Sequence, residues 1–406
     1  MTAEGMAAPV PAELGPVLAW VLERSHAASA VELTGVINEA ARRLGITRTR
    51  MYLVDLQQQR LAPLPQPGFA TREEADLDVD GSLAGLAYRT LRIQHARAES
   101  TLWIPMVDGI ERIGVLQAVV PDPAPGPEAG LLEAARALAN LATLLAMSKA
   151  SHDDLLVRRE RARPMTLQAE LLWAFLPPRT IGTSRATSTA VLEPAYDIGG
   201  DAFDHSFIGD VLHLTLLDAM GHDLASGGAS AAGLAACRST RRSGGALSDI
   251  PTAIDRTLVQ WIPERLMTAV VAELDTVNGD FTWLNCGHPP PLLIRDGRVL
   301  PGALERRAQL PLGFGFHAAA PPDHHHVRLQ PGDRILIHSD GITEARSAEG
   351  DLFGEQRLAD TVIRSTASGD SAPEALRRLI QNLLVHQQHR LLDDATILLM
   401  EWHPAR

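Results

Sequence analysis

From Thr187 onward the chain is a succession of short apolar runs separated by turns rich in Gly and Asp. Few helical stretches intervene, so successive strands must be joined by short connections. Short connections favour antiparallel pairing and disfavour a doubly wound parallel sheet. The runs cover residues 188–192, 211–217, 268–274, 281–285, 292–295, 334–338 and 396–402, with helical patterns at 225–237, 250–261 and 372–386. The expected fold class for this half is α+β, built on antiparallel sheets.

Four segments in this half share one design, an acidic residue beside Gly at the edge of an apolar strand. They are Ile198-Gly-Gly-Asp201-Ala-Phe-Asp204, Leu217-Asp218-Ala-Met-Gly221-His222-Asp223, His338-Ser-Asp340-Gly341-Ile-Thr343-Glu344 and Leu392-Asp393-Asp394-Ala-Thr396. Strand ends are rigid, and the turn that follows leaves a carboxylate exposed in a cleft. A single Asp-Gly pair is ordinary turn chemistry. Four converging carboxylates would repel one another unless a cation neutralises them. Oxygen donors without His or Cys among them suit hard cations such as Mg2+ or Mn2+. Two such cations can share a water, lower its pKa and aim it at phosphorus, so no side-chain nucleophile is required. No Cys-x5-Arg loop and no Gly-x-Ser-x-Gly elbow is present.

The remaining features bound the alternatives. The chain has 406 residues, which allows two or three domains. A net charge of −12 argues against a nucleic-acid-binding surface, which needs clustered Lys and Arg. Only two cysteines occur, Cys237 and Cys286, without zinc spacing or a disulfide framework, which fits a reducing cytoplasm. The first residues lack the pattern of a secretory signal. The most apolar helical stretch, 131–147, is interrupted by Glu133, Arg136 and Asn140, so no membrane span is expected.

The first half reads as a loose tail at 1–15, then helix from about 17 to 44 broken near 28–30. Strand-like runs follow at 51–56, 103–107 and 114–120, with a helix start at Ser82. After a proline-rich break at 121–127, leucines 131, 138 and 145 repeat at seven-residue spacing. That helix is either the last of the first domain or part of a paired coil, and the two readings are compatible. The expected organisation is a tail at 1–15, a domain at 16–148, a helical linker at 149–180 and a second domain at 181–406.

The ordered blocks of the second half resemble the PPM superfamily of metal-dependent serine/threonine phosphatases, and within it the bacterial SpoIIE branch. The blocks are Gly199-Gly-Asp201, Asp218-Ala-Met-Gly221-His222, Asn285-Cys-Gly-His288-Pro-Pro-Pro291, Leu310-Pro-Leu-Gly313, Pro331-Gly-Asp333, Ser339-Asp340-Gly341-Ile-Thr343-Glu344 and Asp393-Asp394-Ala-Thr396. The resemblance implies an αββα sandwich of two antiparallel sheets. It also implies two divalent cations, Mn2+ or Mg2+, held by Asp201, Asp218 (bridging), the carbonyl of Ala219, Asp340 and Asp393. Asp394 competes with Asp393, because adjacent strand residues point to opposite faces. Asp204 is expected one layer outside the cluster. Ala202 stands where the family has a large aromatic, and Cys286 where it has Ala. His222 is a candidate general acid, with a locally bonded turn histidine as the plainer reading. His288 is expected to order its loop, and the run His324–His326 to be a solvated loop before a strand.

Residues from about 30 to 147 resemble a GAF-type sensor domain, on Asp80–Tyr88, Trp103-Ile-Pro-Met106 and Gly114-Val-Leu-Gln-Ala-Val119. PAS is the alternative fold. Together the resemblances imply a cytoplasmic signalling phosphatase, controlled by its first half and homodimeric through sensor and linker. Its substrate would be a phosphorylated regulatory protein of the STAS type. A catalytically silent phosphoprotein-binding scaffold and a hydrolase of small phosphoesters are the competing functions.

Overall fold

The structure is a computed structural model and describes residues 13–66, 75–121, 128–317, 322–388, 391 and 393–403. It divides into two compact units, Met1–Arg163 and Pro164–Arg406. Residues 1–12 of the expected tail and 122–127 of the proline-rich break lie outside the described residues.

The first unit begins with α1 (Leu14–Ser25) and α2 (Ala30–Arg43), followed by β1 (Arg48–Val54), β2 (Arg60–Pro63), β3 (Leu77–Asp78) and α3 (Leu83–Thr90). Then come β4 (Gln94–Ala96), β5 (Thr101–Asp108), β6 (Glu111–Val119), α4 (Ala129–Ala150) and α5 (Asp154–Arg159). The break between α1 and α2 is a capping box. The Ser29 hydroxyl accepts the Glu32 amide, and the Glu32 carboxylate accepts the Ser29 amide. The sheet runs β3-β2-β1-β6-β5-β4. Alternation along its strands divides the core between two faces. Met51, Leu53, Ile104 and Leu116 meet α1, α2 and α4 on one face. Tyr52, Val54, Trp103 and Val115 pack with Ala84 and Tyr88 of α3 on the other.

Helix α4 is long and apolar enough, by length and composition alone, to cross a membrane. Its Ala134, Ala135, Leu138, Ala139 and Ala142 instead pack in the core of the first unit. The expected linker segment 149–180 contains two short helices. One is α5, which belongs to the first unit, and the other is α6 (Leu167–Trp173), which belongs to the second.

The second unit continues with β7 (Thr180–Gly182), β8 (Ala186–Glu193), β9 (Asp201–Ile208), β10 (Val211–Ala219), α7 (Leu224–Arg242) and α8 (Asp249–Trp261). Next are β11 (Met267–Asp275), β12 (Asp280–Cys286), β13 (Leu292–Arg295), β14 (Arg298–Val299), β15 (His325–Arg328) and β16 (Arg334–His338). It closes with α9 (Asp340–Thr343), α10 (Glu355–Ala367), α11 (Ala372–His386) and β17 (Ala395–Trp402). Two antiparallel sheets result, β15-β12-β11-β10-β9 and β14-β13-β16-β17-β8-β7. Their inner faces share one core, in which Phe203, Leu216 and Trp283 of one sheet join Ala190, Leu398 and Met400 of the other. Helices α7 and α8 pack on the outside of the first sheet, and α10 and α11 on the outside of the second. The architecture is the αββα sandwich.

The structure adds strands that the sequence pattern did not suggest. β9 is buried on both faces yet carries Asp204 and His205, so no apolar alternation betrays it. Asp204 is not beside the acidic cluster. It is buried in an ion pair with Arg238 and Arg241 of α7, because it stands three residues from Asp201 and therefore faces the other side of the strand. Of the run His324–His326, only His324 is an exposed loop residue before the strand. His325 and His326 lie in the edge strand β15, where they pair with Trp283 and Thr282 of β12.

Candidate metal centre

Hairpin β9–β10 sets the geometry. Asp201 and Asp218 are direct cross-strand partners, so their carboxylates share one face of the sheet. Like charges placed opposite each other destabilise a strand pair unless something screens them. Asp201 is 2% exposed, and its Oδ2 has no hydrogen-bond partner. Burial first, then Asp218 and Asp394, holds its carboxyl well above the usual carboxylate range. Burial, followed by Asp340, Asp393 and Asp394, pushes Asp218 up to about 7.

The other carboxylates arrive from the second sheet. Asp340 opens α9 directly after β16, and Asp393 and Asp394 lead into β17. With Asp218, Ala219, Thr268 and Pro311 they line an open cleft of about 350 Å3. Burial and then Asp393 raise the carboxyl of Asp340. Of the adjacent pair, Asp393 is exposed, whereas Asp394 is buried and bonded to backbone. Its Oδ2 accepts the amides of Gly199 (2.9 Å), Gly200 (2.6 Å) and Asp201 (3.0 Å). Asp394 is thereby committed to holding the Gly199–Asp201 turn, whereas Asp393 lines the cleft, its Oδ1 accepting the Asp394 amide at 2.9 Å. Gly200 is required where the turn passes β10, since a Cβ there would lie 2.3 Å from the Ala219 carbonyl oxygen. Gly341 is required for the same kind of reason, with the Asp394 carbonyl 2.0 Å from its notional Cβ.

Of the residues expected at the site, Asp218, Ala219, Asp340, Asp393 and Asp394 line the cleft. Asp201 lies outside that lining, buried beside Asp218. His222 is exposed on the turn after β10 and is not among the lining residues either. His288 orders the rear of the cleft. Its Nδ1 is 2.7 Å from the Thr268 hydroxyl and its Nε2 is 3.0 Å from the His338 carbonyl, while burial pulls its pKa down to about 3. Thr268, Met220, Leu266 and Met267 also line the cleft. No sequence signal marks Thr268. Its place follows from register, because it pairs with Asp218 on β11.

The donor set fits hard divalent cations: carboxylates and a backbone carbonyl, with no His or Cys in the lining. The buried, unpartnered Oδ2 of Asp201 and the mutually raised carboxyls are what a site built around positive charge shows without that charge. Among the described residues, no three acidic, His or Cys side chains stand in a ready-made ligand shell.

Residues 209–403 match the family described as Stage II sporulation protein E (SpoIIE). That match falls within the second unit, which resembles the SpoIIE family over those residues. Protein IcfG of Synechocystis is 27% identical to this chain over 126 residues, covering 31% of this chain and 19% of IcfG. Among solved structures, the RsbU and RsbW domains of Rv1364c from Mycobacterium tuberculosis are similar at 27% identity and a TM-score of 0.46, over 55% of this chain and 62% of that one. The SiaA-PP2C domain of Pseudomonas aeruginosa is similar at 19% identity and a TM-score of 0.48, over 58% and 94%. This chain thus spans a minor part of the curated relative it matches.

Proposed function

We propose that the chain is a metal-dependent protein phosphatase that hydrolyses phosphoserine or phosphothreonine monoesters on a regulatory protein. The observation that carries this reading is the convergence of Asp218, Asp340 and Asp393 from three strand ends on one open cleft. Asp218, Asp340, Asp393 and the Ala219 carbonyl would hold the cations, with Asp201 beside Asp218 as a further donor. When bound, a pair of divalent cations such as Mn2+ or Mg2+ supplies Lewis-acid charge for the phosphoryl oxygens and an activated water.

The chain's own residues do the rest. Asp394 fixes the Gly199–Asp201 turn through its amide bonds. The pair His288–Thr268 holds β11 against the back of the cleft. No step is assigned to His222, which is exposed outside the lining. The STAS-type regulatory substrate, control by a GAF-like first unit, homodimer formation and a cytoplasmic setting follow from the resemblances and belong to this proposal. The six-stranded sheet with helices on both faces supports the sensor reading.

The test is manganese-dependent hydrolysis of an aryl phosphate by the full chain. Asp218→Ala and Asp340→Ala should each abolish it, and unchanged turnover in both would overturn the assignment. One observation favours the competing scaffold reading, namely that no ready-made ligand shell exists among the described residues. Calorimetric titration with manganese separates the two, since tight cation binding lost in Asp218→Ala excludes a silent scaffold.

A further inference from the structure

Among the described residues the exposed phenylalanines are Phe314 and Phe316, 47% and 56% accessible. They are not a frayed loop. Their rings stack with centroids 5.8 Å apart. Fully buried Asp255 of α8 accepts three amides from the same loop, those of Gly313 (2.6 Å), Gly315 (3.0 Å) and His317 (3.1 Å). His317 closes the loop on itself, its Nε2 lying 2.9 Å from the Leu310 carbonyl oxygen. A buried carboxylate committed to three amides makes a rigid support, and what it supports is an apolar surface held in water.

That surface continues the wall of the cleft. Leu312 exchanges both backbone hydrogen bonds with Met267, and Pro311, Leu266 and Met220 line the cleft. Leu310 and Met220 are 53% and 54% exposed. Val259, one helical turn beyond Asp255 on α8, is 46% exposed. Met220, Leu310, Phe314, Phe316 and Val259 thus form an apolar shelf that begins at the rim of the acidic cleft.

We infer that this shelf docks the phosphoprotein substrate, by taking an apolar patch that flanks the phosphorylated side chain. The inference rests on the phosphatase reading above and deepens it. A cleft of about 350 Å3 holds a phosphorylated side chain and little more, so the remainder of a protein substrate must lie over the rim. Aromatic anchors on a rigid support are the surface that gives binding energy at low entropic cost. A cluster of like-charged side chains would select an oppositely charged partner, whereas this shelf is apolar and selects an apolar one.

The test uses the full chain with manganese and three substrates: p-nitrophenyl phosphate, a phosphoserine peptide with Gly and Ser flanks, and one of equal length with Leu, Ile and Phe flanks. The wild type should hydrolyse the apolar-flanked peptide with kcat/KM about tenfold above the Gly/Ser peptide. The double variant F314S/F316S should lose that advantage to within about twofold and keep its turnover of p-nitrophenyl phosphate. Equal kcat/KM for both peptides in the wild type, with p-nitrophenyl phosphate hydrolysed, would overturn the docking shelf and leave the phosphatase reading standing. No hydrolysis of any substrate by the wild type would remove both. A flank preference that survives the double variant, with a change in sedimentation, would instead make the shelf a contact between copies of this chain and overturn the proposal.

Discussion

The Gly200 amide donates a 2.6 Å hydrogen bond to the carboxylate of Asp394, a residue 194 positions later in the chain. Through this contact the segment leading into β17 determines where the turn before β9 sits, and hence where Asp201 meets Asp218. Replacing either of the two adjacent aspartates should therefore give different failures. Asp394→Ala orphans three buried amides and should lower stability by about 2–3 kcal/mol, with activity lost alongside the melting temperature. Asp393→Ala should leave the urea midpoint within about 0.5 kcal/mol of the wild type and raise the manganese concentration needed for aryl phosphate turnover. Matching effects in the two variants would overturn the division of labour.

The titration of Asp218 makes a second prediction. Its folded carboxyl is pushed up to about 7 from an ordinary 3.8. The folded state then binds the proton more tightly than the unfolded chain, so stability from this group falls as pH rises from about 4 and is lost above about 7. Without divalent cation, the protein should lose about 1 kcal/mol between pH 6 and pH 8 from this group. Asp218→Asn should flatten that part of the profile, and manganese should suppress it. A cation-free profile that stays level across this window in the wild type would contradict the raised carboxyl.

Asp204 gives the converse case. It is buried between Arg238 and Arg241, with contacts of 2.6 and 2.7 Å. Asp204→Ala leaves buried guanidinium charge uncompensated and should cost about 3–5 kcal/mol in urea unfolding. Because Asp204 faces α7 and not the cleft, manganese affinity measured by calorimetry on the folded variant should change by less than about threefold, roughly 0.6 kcal/mol. A tenfold loss of affinity would place Asp204 in the metal site after all.

His222 is predicted to matter little. A general acid contributes roughly 100- to 10,000-fold to rate. His222 is exposed and outside the lining of the cleft, so His222→Ala should reduce aryl phosphate turnover by less than about tenfold, with an unaltered pH profile. Loss of a pH-rate limb in that variant would restore the acid role.

Much of the second unit was legible because its strands alternate or run apolar between Gly- and Asp-rich turns, and because its motif blocks come in order. What escaped did so for physical reasons. β9 hides its burial behind Asp204 and His205, whose polarity is answered by Arg238, Arg241 and Ser188 from distant segments. The unequal roles of Asp393 and Asp394 depend on which oxygens reach the Gly199–Asp201 amides, and sequence spacing carries no such distance. Thr268 enters the cleft only through strand register. The exposed pair Phe314 and Phe316 carries no sequence signal, since the anchor that stiffens their loop, Asp255, belongs to a helix some sixty residues earlier, paired with His317 at a separation of 62.

The position of β17 has a consequence for synthesis. It follows every other strand of its sheet in the chain, yet it sits between β16 and β8 and brings Asp393 and Asp394 with it. At about 5–20 residues per second, a ribosome presents the Asp201–Asp218 hairpin roughly ten seconds or more before those carboxylates emerge. On the proposed site, a nascent chain is silent, and a translation product cut short before Asp393 stays so, which would tie activity to completed synthesis of the domain.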